Sequence, residues 1–360
     1  MNSNRTLGVA LSILGATFVL SQWTQAQPPP PPGKTTGPGV QAPADSKEPE
    51  VLAGCKTPPP ARGGRGAGRG RGRGPAAPEA ERTVTVTEIP GVIAAGAQWK
   101  VVWEADGNNA DGIVGTKDGG LLLAQNTNSD IIKLDKNGKA TVAYKDLNTS
   151  GAISINTKGT TFVNNRGLRA NIEEVAPRRQ NFTNTYNGDS FDCIGGVLND
   201  LTAASNGGVY FTMGGLYYAN PQGVVTKYGE NLNTNGIILS RDEKTLYVTN
   251  GPTLAAFDVQ PDGSLANQRE FARWEGPGGG DGSTIDSEGR IYTTTGQGIR
   301  VISPDGKVLG LIPTRRDVIS CAFSGKNKKT LYAVEWDAIR QHDWVVTIPM
   351  IAQGYKGRPK

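Results

Sequence analysis

Histidine is almost missing from this chain: His342 is the only one in 360 residues. A zinc centre built on two or three imidazoles is therefore excluded by count. A Ser-His-Asp triad would have to use His342, and no G-x-S-x-G elbow accompanies it. No P-loop or dinucleotide fingerprint follows a strand and opens a helix. Cysteine is scarce as well. Cys55, Cys193 and Cys321 are too few for a disulfide framework, although one bridge is possible in an oxidising compartment. Cys321 reads as a small buried apolar residue. Long apolar runs are lacking. The stretch from Leu7 to Leu20 falls short of the ~20 predominantly apolar residues a membrane span needs.

What that stretch does suit is export. Arg5 precedes it and Thr24-Gln25-Ala26 follows as a small-residue cleavage site, so residues 1–26 are expected to be a signal peptide and the product periplasmic or secreted. Residues 27–83 differ in composition. They hold a run of five prolines between Gln27 and Gly33 and an alternating Arg-Gly tract from Ala61 to Gly74. Too little apolar surface is available there to offset ordering entropy, so a disordered Pro/Gly/Arg-rich linker is expected. Leu52-Ala53-Gly54-Cys55 resembles a lipoprotein cleavage box, but the charged residues from Asp45 to Glu50 stand where an apolar segment should precede it.

The net charge of +5 resides in this leader. Residues 1–83 carry ten Lys/Arg and five Asp/Glu, leaving 28 of each in the remainder. The Arg-Gly tract attracts phosphate, but no aromatic residue is interleaved to stack on bases, so no nucleic-acid partner is expected. Weak contact with an anionic cell envelope through the tract is the simpler expectation.

From residue 84 to 360 the chain consists of short strand-like runs separated by Gly, Asn and Asp turns, with no competing helical period. A strand–hairpin–strand unit recurs six times, with turns at Asp118-Gly119, Lys158-Gly159, Asn206-Gly207, Asp242-Glu243, Glu288-Gly289 and Asn327-Lys328. Spacings of 36–48 residues between these turns, with four strands per unit, identify an all-β fold, a six-bladed β-propeller with four-stranded blades. The last unit lacks a fourth strand after Trp344-Val345-Val346. The run Gln98 to Trp103 is expected to supply it and close the ring without an open edge. Cys193 and Cys321 then fall on opposite sides, which argues against pairing them. Two segments break the rhythm, Asn164 to Phe191 and Arg273 to Gly280 with Trp274. Both are candidates to wall a substrate pocket.

Four polar residues recur seven positions before a turn: Asp111, Asn199, Asn235 and Asp281. The other two units place Gly151 and Ser320 there. In a propeller the first strand of each blade lies nearest the central channel, so the four should meet at its mouth. Two carboxylates and two amides make an all-oxygen set, suited to calcium, magnesium or manganese, with zinc as a poorer fit. Glycine follows three of the four (Gly112, Gly236, Gly282), allowing tight turns or close approach. Hydrolysis at such a site would rest on an ion that polarises a carbonyl and on a carboxylate base. Asp281, flanked by Gly280 and Gly282, is the candidate.

Three stretches make a resemblance recognisable: Leu198-Asn199-Asp200-Leu201-Thr202, Thr234-Asn235-Gly236-Ile237 with Ser240 to Tyr247, and Gly280 to Gly289. Cys321-Ala322-Phe323 with Thr330-Leu331-Tyr332 adds a fourth. Together they resemble the regucalcin/gluconolactonase/LRE-like family of six-bladed propellers over roughly residues 95–340. The resemblance implies one divalent ion, calcium first, held by Asn235 and Asp281, with Asp281 also a candidate base. It implies Asn199 as a ligand or substrate contact, Asp200 as a substrate contact, and a sugar lactone or related ester as substrate. Where the family usually has Glu, this chain has Asp111. Where many members have Arg two residues before the Asn-Asp pair, it has Val197. A propeller that only binds a ligand or protein, with a structural ion, is the alternative.

Overall fold

The structure is a computed structural model that describes residues 35–37, 40–41, 46–57, 81–276, 278–337 and 339–357. The expected signal peptide and most of the expected linker lie outside the described residues.

Six four-stranded antiparallel sheets follow one another around a central channel. Blade 1 comprises Ile113–Gly115, Leu121–Gln125, Asp130–Leu134 and Ala140–Tyr144. Blade 2 comprises Ser150–Ile155, Thr161–Asn165, Asn171–Ala176 and Gln180–Thr183. Blade 3 comprises Leu201–Ala203, Val209–Thr212, Leu216–Ala219 and Val225–Tyr228. Blade 4 comprises Thr234–Leu239, Thr245–Asn250, Thr253–Val259 and Leu265–Arg273. Blade 5 comprises Ser283–Ile285, Ile291–Thr295, Gly298–Ile302 and Val308–Pro313. Blade 6 takes Asp317–Ser324, Thr330–Asp337 and His342–Pro349 from the end of the chain and Lys100–Asp106 from before blade 1.

That last pairing aligns Val345 with Trp103 and His342 with Asp106, closing the ring as the missing strand required. The inner hairpins form where turn chemistry permits. Gly119, Gly159, Gly207 and Gly289 all have positive φ, a conformation open to glycine at little cost. Inner strands are buried along their length because neighbouring blades cover both faces, as in blade 1, where Leu121–Gln125 is wholly buried. Outer strands such as Ala140–Tyr144 are mostly exposed. The core lies between blades: Tyr210, Leu216, Ile237 and Val248 pack together across blades 3 and 4. Each such large side chain contributes about 1.5–3 kcal/mol on burial.

Three expectations require revision. Of Asn164 to Phe191 only Arg166 lines the channel cavity, and the segment is not a loop. It completes the second strand of blade 2, supplies the blade's third and fourth strands, and ends in a small hairpin, Thr185–Tyr186 with Asp189–Ser190, leading into the short helix Phe191–Ile194. Its Asn and Glu residues read as loop because the outer strands of a blade meet solvent. In the Arg273–Gly280 segment Trp274 faces inward, buried with Ile285 and Leu254 between blades 4 and 5. Finally, part of the 27–83 segment is helical, at Glu48–Ala53. Cys55, the residue of the lipoprotein-like box, is bonded to Cys193 across 138 residues, and the Lys56 N–H donates to Asp189 at 2.8 Å. Cys321 is free and buried, as expected.

Candidate active site

The first strands carry the four marked residues to one end of the channel. Asp111, Asn199, Asp200 and Asp281 line a single cavity together with Arg166, the glycines Gly112, Gly151 and Gly282, and Ser320. The enclosed space is about 10 Å³, close to the volume one water-sized sphere occupies. Asn235 joins through its neighbours: Asn199 donates its side-chain N–H to the Asn235 Oδ1, and Asn235 hydrogen-bonds Asp281. All four marked positions therefore converge, and the two blades with Gly151 and Ser320 contribute space rather than ligands.

The glycines explain the spacing. The Gly112 N–H donates to Gly151 O at 2.8 Å, and the Gly282 N–H to Ile319 O at 2.9 Å, each joining one blade's first strand to the next. A Cβ on Gly236 would lie 1.9 Å from the Asp281 carbonyl. Asn-Gly and Asp-Gly thus let adjacent first strands touch at the narrowest part of the ring. Blade 3 departs from this, with Asp200 in the glycine position. Its carboxylate accepts the N–H of Leu201 at 2.8 Å and of Ile237 at 3.1 Å, and it is 6% exposed. Asp200 therefore braces blade 3 against blade 4 by hydrogen bonds instead of close approach, while it also lines the cavity.

A second polar layer supports the first from the second strands of blades 2 to 5. The Thr212 hydroxyl donates to Asn235 O, and the Thr294 hydroxyl to Gly282 O at 3.0 Å. The Gly236 N–H donates to the Thr249 hydroxyl at 2.7 Å. In blade 2 Asn164 takes this place, accepting the N–H of Gly151 at 3.0 Å. Threonine suits the position because it keeps a strand conformation and carries a hydroxyl for an otherwise unmet backbone group.

Electrostatics divides the ring. Arg166, just past the second strand of blade 2, has a side chain 2% exposed and forms an ion pair with the Asp111 carboxylate. Its Nε donates to Leu198 O at 2.9 Å, and Nη2 donates to Asn199 O at 2.6 Å and to Asn199 Oδ1 at 2.9 Å. Asn126 donates to the same Asp111 carboxylate at 2.8 Å. A Cβ on Gly151 would overlap the guanidinium at 1.9 Å, which is why this blade offers no side chain at the marked position. The loop bearing Asp111 is held from beneath by Asp343, whose Oδ2 accepts the N–H of Asn109 at 2.5 Å and of Ala110 at 2.6 Å. Burial pushes the Asp343 carboxyl well above the usual carboxylate range.

On the other side, Asp281 is half-buried at the channel and crowded by protein elsewhere. Burial, then the charges of Asp111 and Asp200, push its carboxyl up to about 8, against the pull of Arg166 and the Asn235 hydrogen bond. Among the described residues no three His, Cys, Asp or Glu side chains form a metal-binding group. Any ion here would need the amide oxygens too. The donors fit a hard divalent ion in that sense: they are all oxygen, the opening is ion-sized, and Asp281 is short of positive charge.

Arg166, Asn126 and Asn164 were not anticipated from the sequence. The signal was present in the run Phe162-Val163-Asn164-Asn165-Arg166, an inner strand ending in polar residues, but the asparagines read as the start of a loop. His342 lies away from the channel on blade 6, its Nδ1 2.7 Å from the Asp106 carboxylate.

A family model described as SMP-30/Gluconolactonase/LRE-like region matches residues 148–335. A gluconolactonase of Zymomonas mobilis is 24% identical over 313 residues, covering 73% of this chain and 84% of that one. Lactonase drp35 of Staphylococcus aureus is 31% identical over 219 residues, and the match spans 54% of this chain and 60% of the relative. Among solved structures, a gluconolactonase from Xanthomonas campestris superposes with a TM-score of 0.63 at 19% identity, over 78% of this chain and 99% of that chain. A calcium-binding protein, regucalcin, from Agrobacterium tumefaciens gives a TM-score of 0.59 at 18% identity, over 72% and 96% respectively. At these identities the solved structures speak for the fold alone.

Proposed function

We propose that this chain, which belongs to the SMP-30/gluconolactonase/LRE-like family, hydrolyses a lactone or related ester at the channel mouth with the aid of one divalent ion. The observation that carries the reading is the convergence of Asp281, Asn235, Asn199 and Asp111 on one ion-sized opening. The relatives named gluconolactonase and lactonase support the substrate class. Asn235 and Asp281, with Asn199 beside them, would hold the ion, calcium first, with magnesium, manganese or zinc as alternatives.

When bound, such an ion polarises the substrate carbonyl and eases deprotonation of water. The residues supply the rest. Asp281 takes a proton from the attacking water, whose oxygen bonds to the carbonyl carbon. The ring C–O bond breaks, and the leaving oxygen takes up a proton to give a hydroxy acid. Without the ion, burial and the neighbouring carboxylates push the Asp281 carboxyl up to about 8; a cation beside it would draw that value down and leave a carboxylate to accept the proton. Arg166 and Asn126 fix Asp111, and Asn164 with the threonine layer fixes the backbone that aims Asn235 and Asp281. The narrow mouth limits bulk water around the reacting carbonyl.

The test is ring opening of a panel of sugar and aliphatic lactones by the full chain and by Asp281→Asn. Turnover lost in the variant supports the reading. Ion binding without turnover across the panel would instead favour a ligand-binding propeller. Export is part of the proposal: the Leu7 to Leu20 stretch and the Cys55–Cys193 bridge both suit an oxidising compartment, and cell fractionation reads this directly.

A further inference from the structure

We infer that Arg166 acts as a built-in cation that withdraws Asp111 from the ion site, so that the ion is held by the blade 4 and blade 5 side of the ring, at Asn235 and Asp281. This rests on the reading that an ion binds at the channel mouth. Arg166 has five N–H donors, and five hydrogen bonds engage them: to Leu198 O, Asp111 Oδ2, Asn126 Oδ1, Asn199 O and Asn199 Oδ1. A guanidinium so fully engaged is fixed in place. It stands across the position that Gly151 leaves open, and its ion pair with Asp111 is almost wholly shielded on the Arg166 side.

Asp111 is committed in turn. The same Oδ2 accepts from both Arg166 and Asn126, and the loop beneath is anchored by Asp343. Coordination through Oδ2 would break the buried ion pair, which is costly, and Oδ1 could reach an ion only beside the guanidinium. A bound ion beside the guanidinium would also meet like charge. Both effects direct an ion toward Asn235 and Asp281, where the carboxylate is partnered by an amide and crowded by the charges of Asp111 and Asp200. Arg166 is in this sense a positioning residue: it sets which corner of the ring is available and leaves one or more coordination sites to solvent or substrate.

The probe is Eu³⁺, a hard oxygen-seeking ion whose luminescence lifetimes in H₂O and D₂O count the waters bound to it. In the wild-type full chain, Asp111→Asn should leave the water count unchanged, whereas Asp281→Asn should raise it or abolish binding. In Arg166→Gln, with Asp111 released, the count should fall by about one or two as the carboxylate joins. Affinity should rise on the order of tenfold with the like charge gone. A higher water count in Asp111→Asn with Arg166 intact would overturn the inference. So would an unchanged count in folded Arg166→Gln, or no Eu³⁺ binding in either protein. Should Arg166→Gln fail to fold, the Asp111→Asn arm decides alone. Binding in Arg166→Gln but not in wild type would support the inference while sinking the ion-dependent reading of the native enzyme. Lactone turnover with and without chelator tests that reading separately.

Discussion

The two sides of the channel mouth solve opposite electrostatic problems. On the blade 1 and blade 2 side a carboxylate, Asp111, is neutralised by a buried guanidinium and further hydrogen-bonded by Asn126. On the blade 4 and blade 5 side a carboxylate, Asp281, has an amide for a partner and feels two more negative charges. Both carboxylates occupy the same place in the repeat, so blade geometry alone does not decide their chemistry. What decides it is what the adjoining blade supplies: blade 2 brings Arg166 to Asp111, whereas blade 4 brings only the Asn235 amide to Asp281. A cation that comes from the protein makes one side rigid and self-sufficient. On the proposed reading, the other side takes its cation from solution.

That contrast can be broken in several places. Asp281→Asn should have the largest effect, lowering kcat/KM for lactone hydrolysis by ~10²–10⁴ because the proton acceptor is gone; an ordinary steady-state assay reads it. Arg166→Met should cost roughly 3–5 kcal/mol of stability in chelator, since it leaves the Asp111 charge without its partner, and urea unfolding measures the loss. Added divalent ion should recover part of that loss if Asp111 becomes available to it. Gly236→Ala forces a methyl against the Asp281 carbonyl, at 1.9 Å before relaxation, and should cost about 1–3 kcal/mol while lowering activity through a displaced Asp281. At Gly96 the added Cβ meets nothing within 4 Å but φ is +71°, so the same substitution should cost stability through the backbone alone and leave activity intact.

The smallest effect is a pH dependence. The Asp281 carboxyl rises from 3.8 in an unstructured chain to about 8 in the fold. The folded ion-free protein thus holds a proton that the unfolded chain releases above pH 3.8. Its contribution to stability is fully present below that pH and is lost as pH rises through about 8. Urea midpoints in chelator should fall across this window in the wild type, and the slope should be shallower in Asp281→Asn. An identical slope in both would place the titration elsewhere.

Much of the fold was legible in the sequence because a propeller repeats its turns. Asp118-Gly119 and Glu288-Gly289 sit in the same hairpin of different blades, and their spacing revealed both blade number and the closing strand. The inner ring was legible for the same reason, since Asp111, Asn199, Asn235 and Asp281 share an offset. What escaped was set by contacts between blades. Arg166 belongs to blade 2 but acts on residues of blades 1 and 3, and nothing local in Asn164-Asn165-Arg166 marks it as buried. The bracing role of Asp200 escaped because its partner Ile237 belongs to the next blade, 37 residues away. The Cys55–Cys193 bridge joins a segment outside the repeat to a helix between two blades, so periodicity held no information about it.

The central claim is that the Asn235–Asp281 side needs a cation it does not contain. The most direct measurement is the initial rate of lactone ring opening by the full chain after exhaustive chelation, with metal content determined on the same sample. Turnover should vanish with the ion and return on adding calcium or manganese in stoichiometric amount. Undiminished turnover by a chain verified to be metal-free would contradict it.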